Sequence, residues 1–182
     1  MACLTWNVRS ATSRYLQVRA APDNQTMPRE GKEIFMPELL NDQIKAQLGE
    51  AFAQLTQPVH ILFFGTKEQC EYCDDTRQLV EEVAATSEKI SVSAYSVQDH
   101  AEIATQYNID KTPGLVIAAQ DGDAIIDYGI RHAGIPSGHE FSTLIQDILL
   151  VSSRDSGLAE ATREFLKTVK EPVLLQVFAT PT

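Results

Sequence analysis

The sequence has no long apolar run. Its longest, Leu115 to Ala119 and Leu144 to Val151, are short or interrupted, whereas a helix needs roughly 20 such residues to span a bilayer. It is also poor in cations. Fifteen Lys and Arg stand against 25 Asp and Glu, a formal charge of −10, and a surface of that sign repels phosphate backbones and anionic lipid. Neither nucleic acid nor membrane is an expected partner. Cysteine is scarce: three residues cannot build the even-numbered disulfide framework of a small secreted protein. The N-terminal residues also lack the apolar core of about 7 to 15 residues that a secretory signal requires. A soluble, cytoplasmic chain is expected.

What is present is ordinary globular composition, 43% apolar and 22% charged over 182 residues, enough for one domain or one domain and part of another. Residues 1 to 26 carry Arg9, Arg14 and Arg19 with a single acid, Asp23, and regular apolar periodicity begins only after Met36. Residues 1–36 therefore read as a disordered N-terminal extension, with Cys3 a bystander thiol and Met27 and Met36 as alternative starts.

From Pro37 onward, Leu39, Leu40, Ile44, Leu48, Phe52 and Leu55 form the stripe of an amphipathic helix, with Pro37 suited to its first turn. Pro58 stops it. Val59 to Phe64, broken only by His60 and ended by Gly65, reads as a buried strand. Leu79, Val80, Val83 and Ala84 then recur at helical spacing, so that Cys73 and Cys70 open a helix running to about Ala85. Ile90 to Val97 alternates as a second strand, and a short helix follows near Ala101 to Tyr107. Leu115 to Ala119 and Ala124 to Tyr128, joined by a turn cluster at Gln120 to Asp123, form an antiparallel hairpin. Phe141 to Leu149 gives another helix. This order predicts an α/β thioredoxin-like fold, a mixed four-stranded sheet flanked by helices, over residues 37–153.

The remaining stretch, 154–182, repeats the beginning. Pro58 to Thr66 and Pro172 to Thr180 align in register at an offset of 114, and Phe52 and Leu55 fall over Leu166 and Val169 at the same offset. The stretch thus reads as the first helix and strand of a second unit. Cys70 at that offset would fall at position 184, beyond Thr182, which gives the expectation of a truncated tandem protein. The lone strand Val173 to Phe178 is expected to be poorly ordered or to borrow a sheet edge.

The chemistry centres on Cys70-Glu71-Tyr72-Cys73. A thiol attacks as its thiolate, and a free cysteine with a pKa of about 8.5 is mostly protonated at neutral pH. A helix N-terminus favours the anion through its unpaired N–H groups and macrodipole, and Cys-x-x-Cys spacing brings the sulfurs within reach of a disulfide. Cys70 is expected to attack and Cys73 to resolve. Zinc would need a second cysteine pair, and His60, His100, His132 and His139 lack ligand spacing, so no metal and no cofactor are expected. A purely structural disulfide is the other alternative. Thr112-Pro113 is placed to bind substrate, with a cis-proline aligning the Thr112 backbone beside an extended peptide. Glu71 and Tyr72 are read as redox-tuning residues. Glu71, with Asp74 and Asp75, puts negative charge where the thiolate forms. That predicts a reducing poise, nearer about −270 mV than about −120 mV.

Together with Val59 to Gly65, Asp110 to Pro113, Tyr128 to Arg131, Gly134 to Phe141 and Val177 to Thr182, the motif resembles the protein disulfide oxidoreductases, glutaredoxin-like proteins built of two tandem thioredoxin folds. The resemblance covers about residues 37 to 182. It implies dithiol–disulfide exchange on disulfide-containing protein substrates and a contribution to cell redox homeostasis, with Cys70 as nucleophile, Cys73 as resolving thiol and Pro113 as the cis-proline. It also implies electron supply from a thioredoxin-reductase-like flavoenzyme. Two departures stand out: the second Cys-x-x-Cys is missing, and no carboxylate occupies Leu62-Phe63-Phe64, where thioredoxins keep a buried Asp. The alternative reading is a catalytically weak docking module for redox partners.

Overall fold

A strand that is apolar at almost every position must be covered on both faces, and the run from Val59 to Phe64 is placed where that happens. The computed structural model describes residues 2–8, 17–19 and 38–179, with side chains from 38 to 177. Its elements are β1 (Ala2–Val8), β2 (Gln17–Arg19), α1 (Asp42–Phe52), β3 (Val59–Gly65), α2 (Cys73–Ala84), β4 (Ile90–Ser96), α3 (Ala101–Gln106), β5 (Gly114–Asp121), β6 (Ala124–Ala133), α4 (His139–Ser153), α5 (Glu160–Thr168) and β7 (Val173–Ala179). They form two compact units, Leu16–Arg154 and the pair of segments Met1–Tyr15 and Asp155–Thr182.

In the larger unit the strand order is β2-β6-β5-β3-β4. β3 is central, parallel to β4 from Val59↔Ile90 to Gly65↔Ser96 and antiparallel to β5 from Val59↔Ala119 to Phe64↔Gly114. The four-stranded mixed sheet expected from the sequence is β6-β5-β3-β4, and β2 adds a short fifth strand along β6.

The period-2 alternation of side chains divides β3 between two cores. Val59, Ile61 and Phe63 join Leu115 and Ile117 and the inward faces of α1, α2 and α4, including Phe52, Val80, Val83, Leu144 and Ile148. Leu62 and Phe64 turn the other way, onto Val116, Ala118, Tyr95, Ala104 and Tyr107. Each fully buried side chain of this size stabilises by about 1.5–3 kcal/mol, so β3 anchors both layers. On the second face Phe64 stacks on Tyr95 with ring centroids 5.5 Å apart, and the Arg131 guanidinium lies 5.7 Å from the Tyr107 ring centroid. Burial, reinforced by the Asp127 charge, pushes the Tyr107 phenol up to about 12. Burial also acts to raise the Asp127 carboxyl, but its hydrogen bonds and charge pairing with Arg131 outweigh that and hold it below the usual range.

The polar exception in β3, His60, is buried with Nδ1 2.6 Å from Ser91 Oγ and Nε2 3.0 Å from Ser93 Oγ. The layers are tied together by Ser152, whose hydroxyl accepts from the N–H groups of Thr56 and Gln57 and donates to the Gln57 carbonyl.

Several elements differ from their sequence expectation. The first helix begins at Asp42, not near Pro37, because Asn41 caps it by accepting from the Ile44 N–H. The N–H groups of Leu39 and Leu40 bond instead to the Glu82 carboxylate. Pro37 itself lies outside the described residues. β6 runs past Tyr128 to Ala133 because Gly129 takes a φ of 85°, its N–H on Asp127 Oδ1, and lets the strand continue. Among residues 1–36, the described segments are β1 and β2.

In the smaller unit β7 pairs antiparallel with β1, from Ala2↔Ala179 to Val8↔Val173; of the two expectations for this strand, poor order or a borrowed strand edge, the pairing is of the second kind. α5 buries none of its residues, and Arg163 pairs with Asp155 at 2.9 Å.

Candidate active site

β3 delivers the chain to the site. Gly65 closes the strand with its carbonyl accepting from the Val97 N–H at 2.9 Å. A Cβ at Gly65 would lie 2.8 Å from the Phe63 ring and 3.5 Å from Cys73 Sγ. Glycine is therefore what leaves room for the Phe63 ring at the end of the strand, beside the recessed cysteine. The following loop is held against the one after β4, where the Gln98 amide donates to Thr66 Oγ1 and Lys67 pairs with Asp99 at 3.8 Å. Gln69 then adopts a φ of 55°, a left-handed conformation uncommon for a residue with a side chain, and turns the backbone immediately ahead of Cys70.

Cys70 and Cys73 are joined by a disulfide, with their Cα atoms 5.5 Å apart. Cys73 is the first residue of α2 and Cys70 precedes the helix, a correction to the expectation that both open it. The reason is local: Gln69 is left-handed, and Tyr72, with φ −112° and ψ 12°, is the helix cap. The Tyr72 carbonyl accepts both the Thr76 N–H at 2.9 Å and the Thr76 hydroxyl at 2.6 Å, and Thr76 is completely buried. This fixes the first turn, whose leading N–H groups have no helical partner. The two sulfurs are unequal in access, since Cys73 is 6% exposed whereas Cys70 is half-buried. Glu71 and Tyr72 are exposed between them.

The Thr112–Pro113 peptide is cis. Pro113 is buried and Thr112 half-buried, and the Pro113 carbonyl accepts from the Gly134 N–H at 2.8 Å. Phe64 pairs with Gly114, so Pro113 stands at the same end of the sheet as Gly65 and the disulfide. A Cβ at Gly114 would lie 2.9 Å from the Lys111 carbonyl oxygen, which keeps that turn tight. The structure thus brings the Cys70–Cys73 pair and Thr112-Pro113 to one end of the sheet.

Leu62, Phe63 and Phe64 are wholly buried, and Lys67, Glu68 and Glu71 are exposed. Among the described residues no three His, Cys, Asp or Glu side chains converge as a metal set. His132 bonds to Asp147 at 3.0 Å and His100 packs edge-on against Tyr95. Sequence reasoning missed the parts played by Gly65, Gln69 and Thr76. Gly65 carried a signal, as the one residue without a side chain after an apolar strand. Gln69 and Thr76 carried none.

A buried central strand running into a disulfide at a helix N-terminus, with a cis-proline at the neighbouring strand, is a thioredoxin-like arrangement that supports thiol-disulfide oxidoreductase chemistry in general. Residues 58–146 match the thioredoxin domain family. The N-terminal domain of the alkylhydroperoxide reductase AhpF from Enterococcus faecalis superposes with a TM-score of 0.61 at 26% identity, over 69% of this chain and 58% of that one. A protein disulfide oxidoreductase from Aeropyrum pernix gives 0.61 and 26%, over 70% of this chain and 54% of that one. In sequence, an NADH dehydrogenase of Bacillus subtilis is 34% identical over 116 residues, 64% of this chain. The chain spans about a fifth of the length of the curated relatives it matches.

Proposed function

We propose that this chain exchanges dithiol and disulfide with protein substrates, with Cys70 as the attacking thiol, Cys73 as the resolving thiol and Thr112-Pro113 as the substrate-binding edge, and that it contributes to cytoplasmic redox homeostasis. The observation that carries this reading is the unequal access of two bonded cysteines at one helix N-terminus. Cys70 is half-buried and Cys73 is 6% exposed against the bare Gly65. In the forward half-reaction the Cys70 thiolate attacks a substrate disulfide sulfur and expels one substrate thiolate. Cys73 then displaces the second, leaving the substrate reduced by two electrons and the Cys70–Cys73 disulfide formed.

A thioredoxin-reductase-like flavoenzyme is the electron donor in this reading, which the likeness to AhpF and to a protein disulfide oxidoreductase supports. Residues 154–182 are the start of a second thioredoxin-like unit, supported by β7 lying 114 positions beyond β3 at both ends. The test is reduction of insulin by dithiothreitol, with the protein beside its Cys70→Ser variant. Acceleration by the parent alone supports the oxidoreductase. Equal rates favour the alternative, a docking module that presents the Thr112-Pro113 edge to redox partners without turnover.

A further inference from the structure

The charges around the disulfide are not balanced. Each cation near the site is already neutralised: Lys67 pairs with Asp99 at 3.8 Å, Arg77 with Glu81 at 2.8 Å and Lys111 with Asp110 at 2.6 Å. Four carboxylates are not. Glu68, Glu71, Asp74 and Asp75 form no ion pair among the described residues, and the first three are exposed. Each lies within two positions of Cys70 or Cys73. With about 3.8 Å between successive Cα atoms, the backbone of each lies within about 8 Å of that of a cysteine, comparable to the Debye length at physiological ionic strength.

We infer that Glu68, Glu71, Asp74 and Asp75 select the thiols that can reduce the Cys70–Cys73 disulfide, disfavouring anionic thiols such as glutathione and favouring a protein partner whose reactive cysteine is flanked by basic residues. The inference rests on the disulfide-exchange reading above. The reacting centre is the disulfide, and the carboxylates determine what reaches it. A thiolate RS⁻ attacks the accessible Cys70 sulfur, forming an RS–Cys70 bond and releasing the Cys73 thiolate. A second RS⁻ attacks the mixed disulfide, giving RSSR and the Cys70 thiolate. Two electrons pass from two RS⁻ to the protein. The first step brings the charge of RS⁻ into the field of the four carboxylates, which oppose it more strongly the more negative the thiol is.

The experiment follows reduction of the oxidised chain by three small thiols whose thiolates carry net charges of zero, minus one and minus two: cysteamine, 2-mercaptoethanol and glutathione. Rates are expressed per thiolate and divided by the rate of the same thiol on the uncharged bis(2-hydroxyethyl) disulfide. The expected result is a ladder falling about ten-fold per added negative charge at about 10 mM ionic strength, shrinking to less than about two-fold at about 0.5 M. The combined variant E68Q, E71Q, D74N and D75N is expected to flatten the ladder at low salt. The salt series on the parent chain stands by itself should that variant fail to fold.

Normalised rates that are equal at all salt concentrations, or a lead for glutathione, overturn the inference. A ladder that persists in the folded variant overturns the assignment to these carboxylates. If none of the three thiols reduces the pair, the disulfide-exchange reading itself falls, a result distinct from reduction without charge preference.

Discussion

Replacing Cys73 by serine is expected to convert the protein from a turning-over catalyst into a trap. Cys70 is half-buried, and Cys73 is 6% exposed with its sulfur against Gly65. On the mechanism proposed above, Cys70 opens a substrate disulfide and Cys73 resolves the mixed disulfide. With serine at 73 the first step proceeds and the second has no nucleophile, since a hydroxyl does not displace a thiolate at neutral pH. Insulin reduction is expected to fall by at least about a hundred-fold. A mixed disulfide between Cys70 and the substrate should accumulate and resolve on non-reducing gels. Cys70→Ser should lose activity to the same degree and accumulate no adduct. The opposite assignment of the two variants would reverse the roles of the cysteines.

The second large effect concerns stability in acid. Burial alone holds His60 at about 4, against about 6.5 for an unperturbed imidazole. Above pH ~6.5 the ring is neutral in both folded and unfolded chains and has no influence on pH dependence. Below that the unfolded chain takes up a proton that the folded chain refuses until about pH 4, so stability is lost as pH falls through this window. At about 1.4 kcal/mol per unit, the loss reaches about 3 kcal/mol by pH ~4. Asp127 has the opposite kind of shift, a folded value below the unfolded one. Its contribution is present above the unfolded carboxylate value and is lost only as pH falls below about 4, outside the histidine window. Urea unfolding of the oxidised protein at pH 7 and pH 4.5 should show the loss. In His60→Gln, which keeps an amide to meet the Ser91 and Ser93 hydroxyls, the difference between the two pH values should shrink by about 2 kcal/mol or more. An unchanged difference would mean that the folded chain admits the proton.

The parts of the fold that the sequence made readable are those governed by local pattern. Val59 to Gly65 is apolar at every position but His60 because helices cover both of its faces, and that is visible without knowing the layers. The β5–β6 hairpin follows from the turn residues at Gln120 to Asp123. The pair Cys70 and Cys73 announces itself by spacing.

What depends on distant partners was not readable. Leu39 and Leu40 fit the helical stripe of α1, yet their N–H groups are held by Glu82, 43 and 42 residues away. The period within α1 could not reveal that competitor. β6 seemed to stop at Tyr128 because Gly129 interrupts the alternation, whereas a positive φ at Gly129 carries the strand onward. Helical spacing beyond Cys73 extrapolates backward smoothly and so predicts that Cys70 opens the helix with it. The left-handed Gln69 breaks that extrapolation, and no composition rule marks a glutamine for that conformation. His60 looked like an interruption in a strand, and only the β3–β4 register, with His60 opposite Ser91, shows how a buried imidazole is satisfied.

The central claim is that one thiol of the reduced pair is kept ionised and accessible at the start of α2 while the other is withheld. Its most direct test is pulsed alkylation of the reduced chain with iodoacetamide across pH, with each cysteine quantified by peptide mass. The account predicts that Cys70 reacts at least about ten-fold faster than Cys73 at neutral pH, and that its rate rises with a midpoint below the value of about 8.5 for a free thiol. Equal, slow modification of both cysteines, with midpoints at or above that value, would contradict it.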